Sequence, residues 1–404
     1  MTRFTALVSL FCALLLSAAG TSVNANAAVP RHVLTADYLG APYGSTTVTP
    51  TQAAPFLTWA QVSVRDANAV AAAGIKTQYY IDPELTIANR GDQLYTPDET
   101  TFAHDCFGNR VGIQYDGFTE YLMALEKPSM HAVFAHWVNR VTSVAHFDAL
   151  FEDNADLPSE YIRLQAMPCG YDDAGWLRTL ESLNAVSPIP VIVSGLNASK
   201  RPKPSGTMAL VSSPNTLGMN YEHCYSNNTQ TKMGGALWQA MENSELQVAA
   251  ARRLFQCMAR NGADAAASTD IRTYLYASFL LSYDPATSII WEEYATPSHF
   301  RVEPESELVA LAPTRPPPGD ISGLRTAGGA YVREFGRCYI DARSVGACAA
   351  AVNPDASSRP FPLQGYRHTL VLRGGGVLDG GTIAASGPPP PSALGPNEAA
   401  IVFR

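Results

Sequence analysis

The run Phe147-Asp148-Ala149-Leu150-Phe151-Glu152-Asp153-Asn154 is apolar enough to form a buried strand, yet it closes on two carboxylates and an amide. Taking ionised carboxylates out of water is costly unless they are paired or put to use. A strand that stays apolar and turns acidic at its C-terminal end fits a (β/α)8 barrel, whose interior is packed and whose chemistry gathers at the carboxyl ends of the strands.

The flanking sequence carries the same alternation from about Val33 to Glu293. Val33 to Tyr38 reads as a first strand. Asp66 to Ala73 reads as a helix ended by Gly74, and Ile75 to Ile81 as a second strand closing on Asp82-Pro83. A long irregular stretch, Glu84 to Gly117, follows. Met130 to Ala145 has helical spacing. Beyond the acidic strand, Asp173 to Val186 is a helix with Asp172 as its cap. Pro190 to Ser194 and Leu217 to Glu222 are strands, Leu237 to Arg260 is a long amphipathic helix, Ile271 to Ser282 a further helix, and Ser288 to Glu293 a last strand. Strands three and seven of an eightfold barrel are weak in this pattern. Parallel strands joined by helices favour an α/β barrel over a sandwich.

The expected organisation is therefore a leader at 1–27, a TIM barrel at 28–312, a proline-rich linker at 313–324 and a small antiparallel β-sandwich-like domain at 325–404. Arg3, the apolar stretch from Ala6 to Leu16 and Ala25-Asn26-Ala27 form a secretory leader pattern, with a mature start at Ala28 and a secreted or periplasmic destination. Pro313 to Gly319 is stiff, and the segments Thr369 to Leu372 and Ala400 to Phe403 read as strands of the small domain. Outside the leader lie Cys106, Cys169, Cys224, Cys257, Cys338 and Cys348, an even set that suggests disulfides in an exported chain. Cys338–Cys348, close together across a turn, is the favoured pair. Cys106–Cys169 requires both to lie on loops at one barrel mouth.

A net charge of −8 with only 16% charged residues disfavours nucleic acid or an anionic membrane as partner. It suits a neutral carbohydrate, poly- or oligosaccharide. Glycosidic bond cleavage takes two carboxylates across a sugar ring and no cofactor or metal. Asp153 is the expected nucleophile: alternation puts it with Phe151 on one face and Glu152 with Leu150 on the other, so one acid alone faces the barrel. Glu152 is its rival should the strand bulge. Glu222 is the expected general acid, at the end of another strand and behind Asn220-Tyr221. Asp37, Asp82, Glu292 and Glu293 at strand ends, with Asn154 and Asn220, are candidates for binding sugar hydroxyls. Tyr38, Trp59, Tyr79, Tyr80, Tyr221 and Trp291 are candidates for stacking on sugar rings. No Gly-x-Ser-x-Gly elbow, phosphate loop or dinucleotide fingerprint occurs.

The spacing Asp148-x-x-Phe151-x-Asp153-Asn154 resembles the acidic strand of a family of secreted, glycoside-hydrolase-like TIM-barrel proteins. So does the C-terminal order of Asn353-Pro354, Tyr366, Gly374-Gly375-Gly376, Gly380-Gly381, Leu394, Pro396 and a terminal apolar strand. The resemblance implies a barrel with a C-terminal β-domain and places the family's strand-four acid on Asp153. It carries no substrate. The competing functions are a non-catalytic carbohydrate-binding protein on a barrel scaffold and a transglycosidase.

Overall fold

The computed structural model describes residues 29–36, 48–87, 98–115, 117–161, 163–196, 206–226, 231–260, 269–293, 302–315, 318–374, 376–377 and 380–404. The proposed leader lies outside them. Eight parallel strands close a barrel. In chain order the first three are β1 (Val33–Ala36), β2 (Trp59–Gln61) and β3 (Lys76–Ile81). A three-stranded antiparallel insertion follows, made of β4 (Leu85–Ile87), β5 (Gly112–Tyr115) and β6 (Phe118–Leu122). The barrel resumes with β7 (Ala149–Glu152), β8 (Val191–Ser194), β9 (Thr216–Tyr221), β10 (Leu254–Arg260) and β11 (Ser288–Glu293), and β11 pairs back onto β1. Helices α1 (Pro50–Ala53), α2 (Ala67–Ala72), α3 (Pro128–Val144), α4 (Asp173–Ala185), α5 (Gly235–Ala250) and α6 (Thr269–Ser282) lie on the connections.

Two elements differ from the sequence expectation. The strand at Lys76–Ile81 is third in the barrel, because Trp59–Gln61 supplies the second. The long helix expected over Leu237 to Arg260 stops at Ala250, and Leu254–Arg260 is the seventh strand. Arg252 makes the break with a left-handed φ of 56°. A non-glycine residue in that conformation leaves no mark in the sequence.

Two layers of side chains fill the barrel. Leu34, Trp59, Ala149, Phe151, Ile192, Met258 and Ile289 form an apolar plug. A chain of amides crosses beside it: Gln78 donates to Gln61 (3.3 Å), Gln256 donates to Gln78 (2.7 Å), Asn220 donates to the Gln256 carbonyl (3.3 Å), and Ser194 donates to Asn220 (3.3 Å). These groups are buried, so the bonds they make to one another offset much of the cost of a polar layer there, although Gln256 Oε1 is left without a partner among the described residues.

The C-terminal region is antiparallel. β12 (Leu308–Pro313), β13 (Tyr331–Ile340), β14 (Arg343–Asn353), β15 (Arg359–Pro360), β16 (His368–Thr369), β17 (Val371–Arg373), β18 (Thr382–Ala384), β19 (Ala393–Leu394) and β20 (Glu398–Phe403) build one five-stranded sheet, ordered β12-β13-β14-β20-β16, and two small ribbons. The sheet packs on α6, and its inner residues Phe335, Val352, Ile401 and Phe403 belong to the same core as Trp238, Tyr274 and Phe279 of the barrel helices. Cys338–Cys348 staples the β13–β14 hairpin, Cys106–Cys169 ties the insertion to the connection after β7, and Cys224–Cys257 joins the segment after β9 to β10. Among the described residues no helix is long and apolar enough to cross a membrane.

Candidate active site at the C-terminal rim

β3 and β7 are neighbours, with Ile81 level with Glu152, so the residues that follow each strand emerge side by side. The Asp153 N–H donates to the Ile81 carbonyl (2.8 Å), extending the ladder one residue past the strand. The two-residue period then sends Asp153 toward the barrel axis, above Phe151. The Tyr80 hydroxyl donates to Asp153 Oδ2 (2.8 Å) and the Asn154 N–H to Oδ1 (2.9 Å). Asn154 takes a left-handed φ of 54°, which ends the strand and aims its amide at Asp82 Oδ2 (2.7 Å). Asparagine accepts that conformation more readily than other side chains.

Asp82 also accepts from the backbone N–H groups of Leu85 (3.0 Å) and Glu84 (3.2 Å). Burial of its carboxyl and the adjacent Asp153 carboxylate nevertheless push its pKa well above the usual range. Burial, then the Asp153 and Asp82 charges, push Tyr80 far up too, so this phenol stays a proton donor. Its ring stacks on Phe151 at 6.2 Å and is 44% exposed at the rim. Tyr161 supports the cluster from outside, donating to the Asn154 carbonyl (2.6 Å), with Glu84 Oε2 3.2 Å from the same hydroxyl.

Glu152 points the other way. It is 0% exposed between β7 and α4, accepts from Asn184 Nδ2 (2.8 Å), and burial raises its pKa to about 7. No bulge turns it inward, so it does not compete with Asp153 for the rim. Glu222 follows β9, the sixth strand, with β8 between it and β7. It is half-buried, and His223 Nε2 lies 3.7 Å from its carboxylate. His223 turns the chain there with a φ of 62°.

The other expected binding residues divide by position. Trp59 belongs to the plug at the N-terminal end of β2, with Lys76 over its ring at 5.3 Å, and is too deep to meet a ligand at the rim. Tyr79 faces outward against Phe147 (5.2 Å), and Tyr221 is buried against Phe255 (6.5 Å); both are on the wrong face of their strands for the axis. Asn220 is fully buried in the amide chain. The backbone of β11 carries Trp291, Glu292 and Glu293 at the C-terminal end of the eighth strand. Asp37 and Tyr38 lie outside the described residues. Residues that sequence reasoning left aside are Tyr161 and Glu84, and Tyr80 enters as a hydrogen-bond donor to Asp153 as well as an aromatic face. The signal available for Tyr80 was its parity with Asp82 on one strand. Among the described residues no group of three or more His, Cys, Asp or Glu could hold a metal ion.

No protein-family model matches the chain, and no curated protein sequence matches it. Solved structures match it at low identity. The glycoside hydrolase domain of PelA from Pseudomonas aeruginosa is 10% identical over 67% of this chain and 97% of that one, with a TM-score of 0.42. Aspergillus fumigatus Ega3, solved with galactosamine, is 11% identical over 66% and 94%, with a TM-score of 0.43. The GH36 alpha-galactosidase AgaB from Geobacillus stearothermophilus is 10% identical over 93% of this chain and 55% of that one, with a TM-score of 0.43.

Proposed function

We propose that this chain is a glycosidase that hydrolyses an O-glycosidic bond of a poly- or oligosaccharide, with Asp153 as nucleophile and Glu222 as general acid. The observation that carries the reading is the Tyr80–Asp153–Asp82 cluster: two carboxyls linked through Asn154 at the barrel rim, one of them driven toward its protonated form, beside an exposed aromatic face. Divergent proton affinities in adjacent carboxyls are characteristic of acid–base and nucleophilic sites.

In this mechanism Asp153 attacks the anomeric carbon while Glu222 protonates the leaving oxygen. Glu222 then takes a proton from the water that releases the sugar from Asp153. Tyr80 and the Asn154 N–H hold the Asp153 carboxylate in the attacking orientation, and burial, which disfavours charge on Asp82, lessens its competition with that carboxylate.

The test is a screen of the purified protein against soluble polysaccharides, with Asp153→Asn and Glu222→Gln as controls. Turnover by the wild type should fall at least about a thousandfold in Asp153→Asn. Wild-type rates in that variant would remove Asp153 as nucleophile. Proton NMR of the first product should show the retained anomer, and an inverted one would reassign Asp153 to activating water.

A further inference from the structure

The ladder between β9 and β10 ends at Tyr221, one residue short of Glu222. Beyond it His223 and Tyr225 both take left-handed backbone, with φ of 62° and 58°. Side chains other than glycine disfavour that conformation, and it persists only where neighbouring groups hold it. Several do so here. The Cys224 N–H donates to the Met258 carbonyl (2.9 Å), Cys224 is disulfide-bonded to Cys257, and the Tyr225 carbonyl accepts from the Met233 N–H (2.8 Å). Ser226 pairs with Lys232 in an antiparallel bridge. The chain after β9 therefore doubles back on itself, with Glu222 at the foot of the outgoing limb and Lys232 to Gly235 in the returning one.

The returning limb meets the C-terminal sheet. Lys232 Nζ donates to the Asn397 carbonyl (2.9 Å) and to Asp270 (2.5 Å), and the Gly235 N–H donates to the Pro354 carbonyl (2.8 Å). Between them Tyr274 of α6 donates to the Met233 carbonyl (2.6 Å). The approach is close enough that a Cβ on Gly234 would collide with Asn397 Oδ1 and with the Pro354 carbonyl. Pro354 directly follows β14 and Asn397 directly precedes β20, neighbouring strands in the interior of the sheet. Asn353, fully buried, fastens the two turns to each other: its Nδ2 lies 3.1 Å from the Leu394 carbonyl and 2.7 Å from that of Gly395. Asn353-Pro354 and Leu394-Gly395-Pro396, part of the C-terminal order seen in the sequence, are thus the residues that build this support. Turns fixed to inner strands hold a limb more rigidly than a free loop would.

We propose that the C-terminal sheet positions Glu222: its turns at Pro354 and Asn397 hold the returning limb through Gly235 and Lys232, and that limb holds the outgoing one through Tyr225. Lys232 is then a positioning residue. Only the kinetic consequence rests on the reading of Glu222 as general acid.

Lys232→Met keeps the side-chain stem beside the Tyr274 ring and removes the bond to Asn397. Hydrogen exchange of the full chain, followed by mass spectrometry, reads the hold directly. The peptide spanning 222–226 should exchange about tenfold faster in Lys232→Met, the worth of one bond from a charged donor, while β7 keeps its wild-type rate. Gly234→Ala, which forces the limb off both turns, should show the same change more strongly. A misplaced acid matters where the leaving oxygen needs a proton. Lys232→Met should therefore lower kcat/KM about tenfold on the polysaccharide cleaved, yet stay within about twofold of the wild type on the dinitrophenyl glycoside of the same sugar. Wild-type exchange at 222–226 in both variants overturns the proposal, as do equal losses on the two substrates. Faster exchange in Lys232→Met, beside a Glu222→Gln variant that treats the two substrates alike, would keep the hold and remove Glu222 as the acid. A leaving-group difference in Glu222→Gln, with neither effect in Lys232→Met, would keep the acid and remove the hold.

Discussion

Glu152 and Asp153 are adjacent, yet the strand sends one into the seam against α4 and the other to the barrel rim. That much was legible, because side-chain alternation is a local property and β7 is regular. The same rule, applied to the aromatics, would have favoured Tyr80 over Tyr79, since Tyr80 is level with Phe151 and Tyr79 with Leu150. Tyr221 falls under the same rule, since its neighbour Asn220 faces the axis, but Trp59 was harder: depth along the barrel axis depends on register between strands, which no single segment encodes. The Tyr80 hydroxyl gives the residue scale a sharp test. A hydrogen bond to a carboxylate favours its ionised form. Tyr80→Phe should therefore shift the acid limb of the kcat/KM profile to higher pH and lower its plateau about ten- to a hundredfold, the worth of one bond to a charged group. A variant with the wild-type profile would show that Tyr80 only shapes the surface.

Among the elements, the barrel was readable where a strand is set off by turn residues or is continuously apolar, and unreadable where a strand is very short or runs on from a helix unmarked. β2 is three residues, Trp-Ala-Gln, and β10 follows α5 without a glycine or proline between them. The insertion after β3 looked irregular, although Asp116-Gly117, a common hairpin dipeptide, stands between β5 and β6. The seam between β7 and α4 carries a prediction of its own. Glu152 titrates near 7 in the fold and near 4.5 when unfolded, because burial penalises its charge. Its neutral form is therefore fully compatible with the fold below pH 4.5, and stability is lost as pH rises from there through 7. A shift of that size is worth about 3 kcal/mol. Burial pushes Glu84 the same way, and Glu152 adds to it. Urea unfolding between pH 4 and 8 should show stability falling with pH. Glu152→Gln should flatten that dependence by about 3 kcal/mol while keeping an acceptor for Asn184. Parallel curves for the two proteins would mean that Glu152 is not held neutral.

At the scale of the whole molecule, the chain reads as a barrel, a stiff connection and a small domain, but its packing joins them. β12 begins at Leu308, before the prolines, and Ile321 and Leu324 enter the same core as the barrel helices. Prolines restrict a segment without freeing it, so a stiff stretch can dock as readily as it can space. Arg333 on β13 is the clearest bridge. It is buried, and its Nη1 donates to the carbonyls of Leu281 (2.9 Å) and Tyr283 (2.7 Å) at the end of α6. Burial lowers its pKa to about 10, against the upward pull of Glu245, Asp284 and Glu242, so it keeps its charge at neutral pH. Replacing it strands two carbonyls and nearby buried acids at once. Arg333→Met should cost about 3 kcal/mol. Because barrel and sheet share one core, calorimetry should show a single transition in the wild type and a single, lower one in the variant. Two separated transitions in either protein would mean that the sheet is an independent domain resting on the barrel, and the assignment of one common core would fail with it.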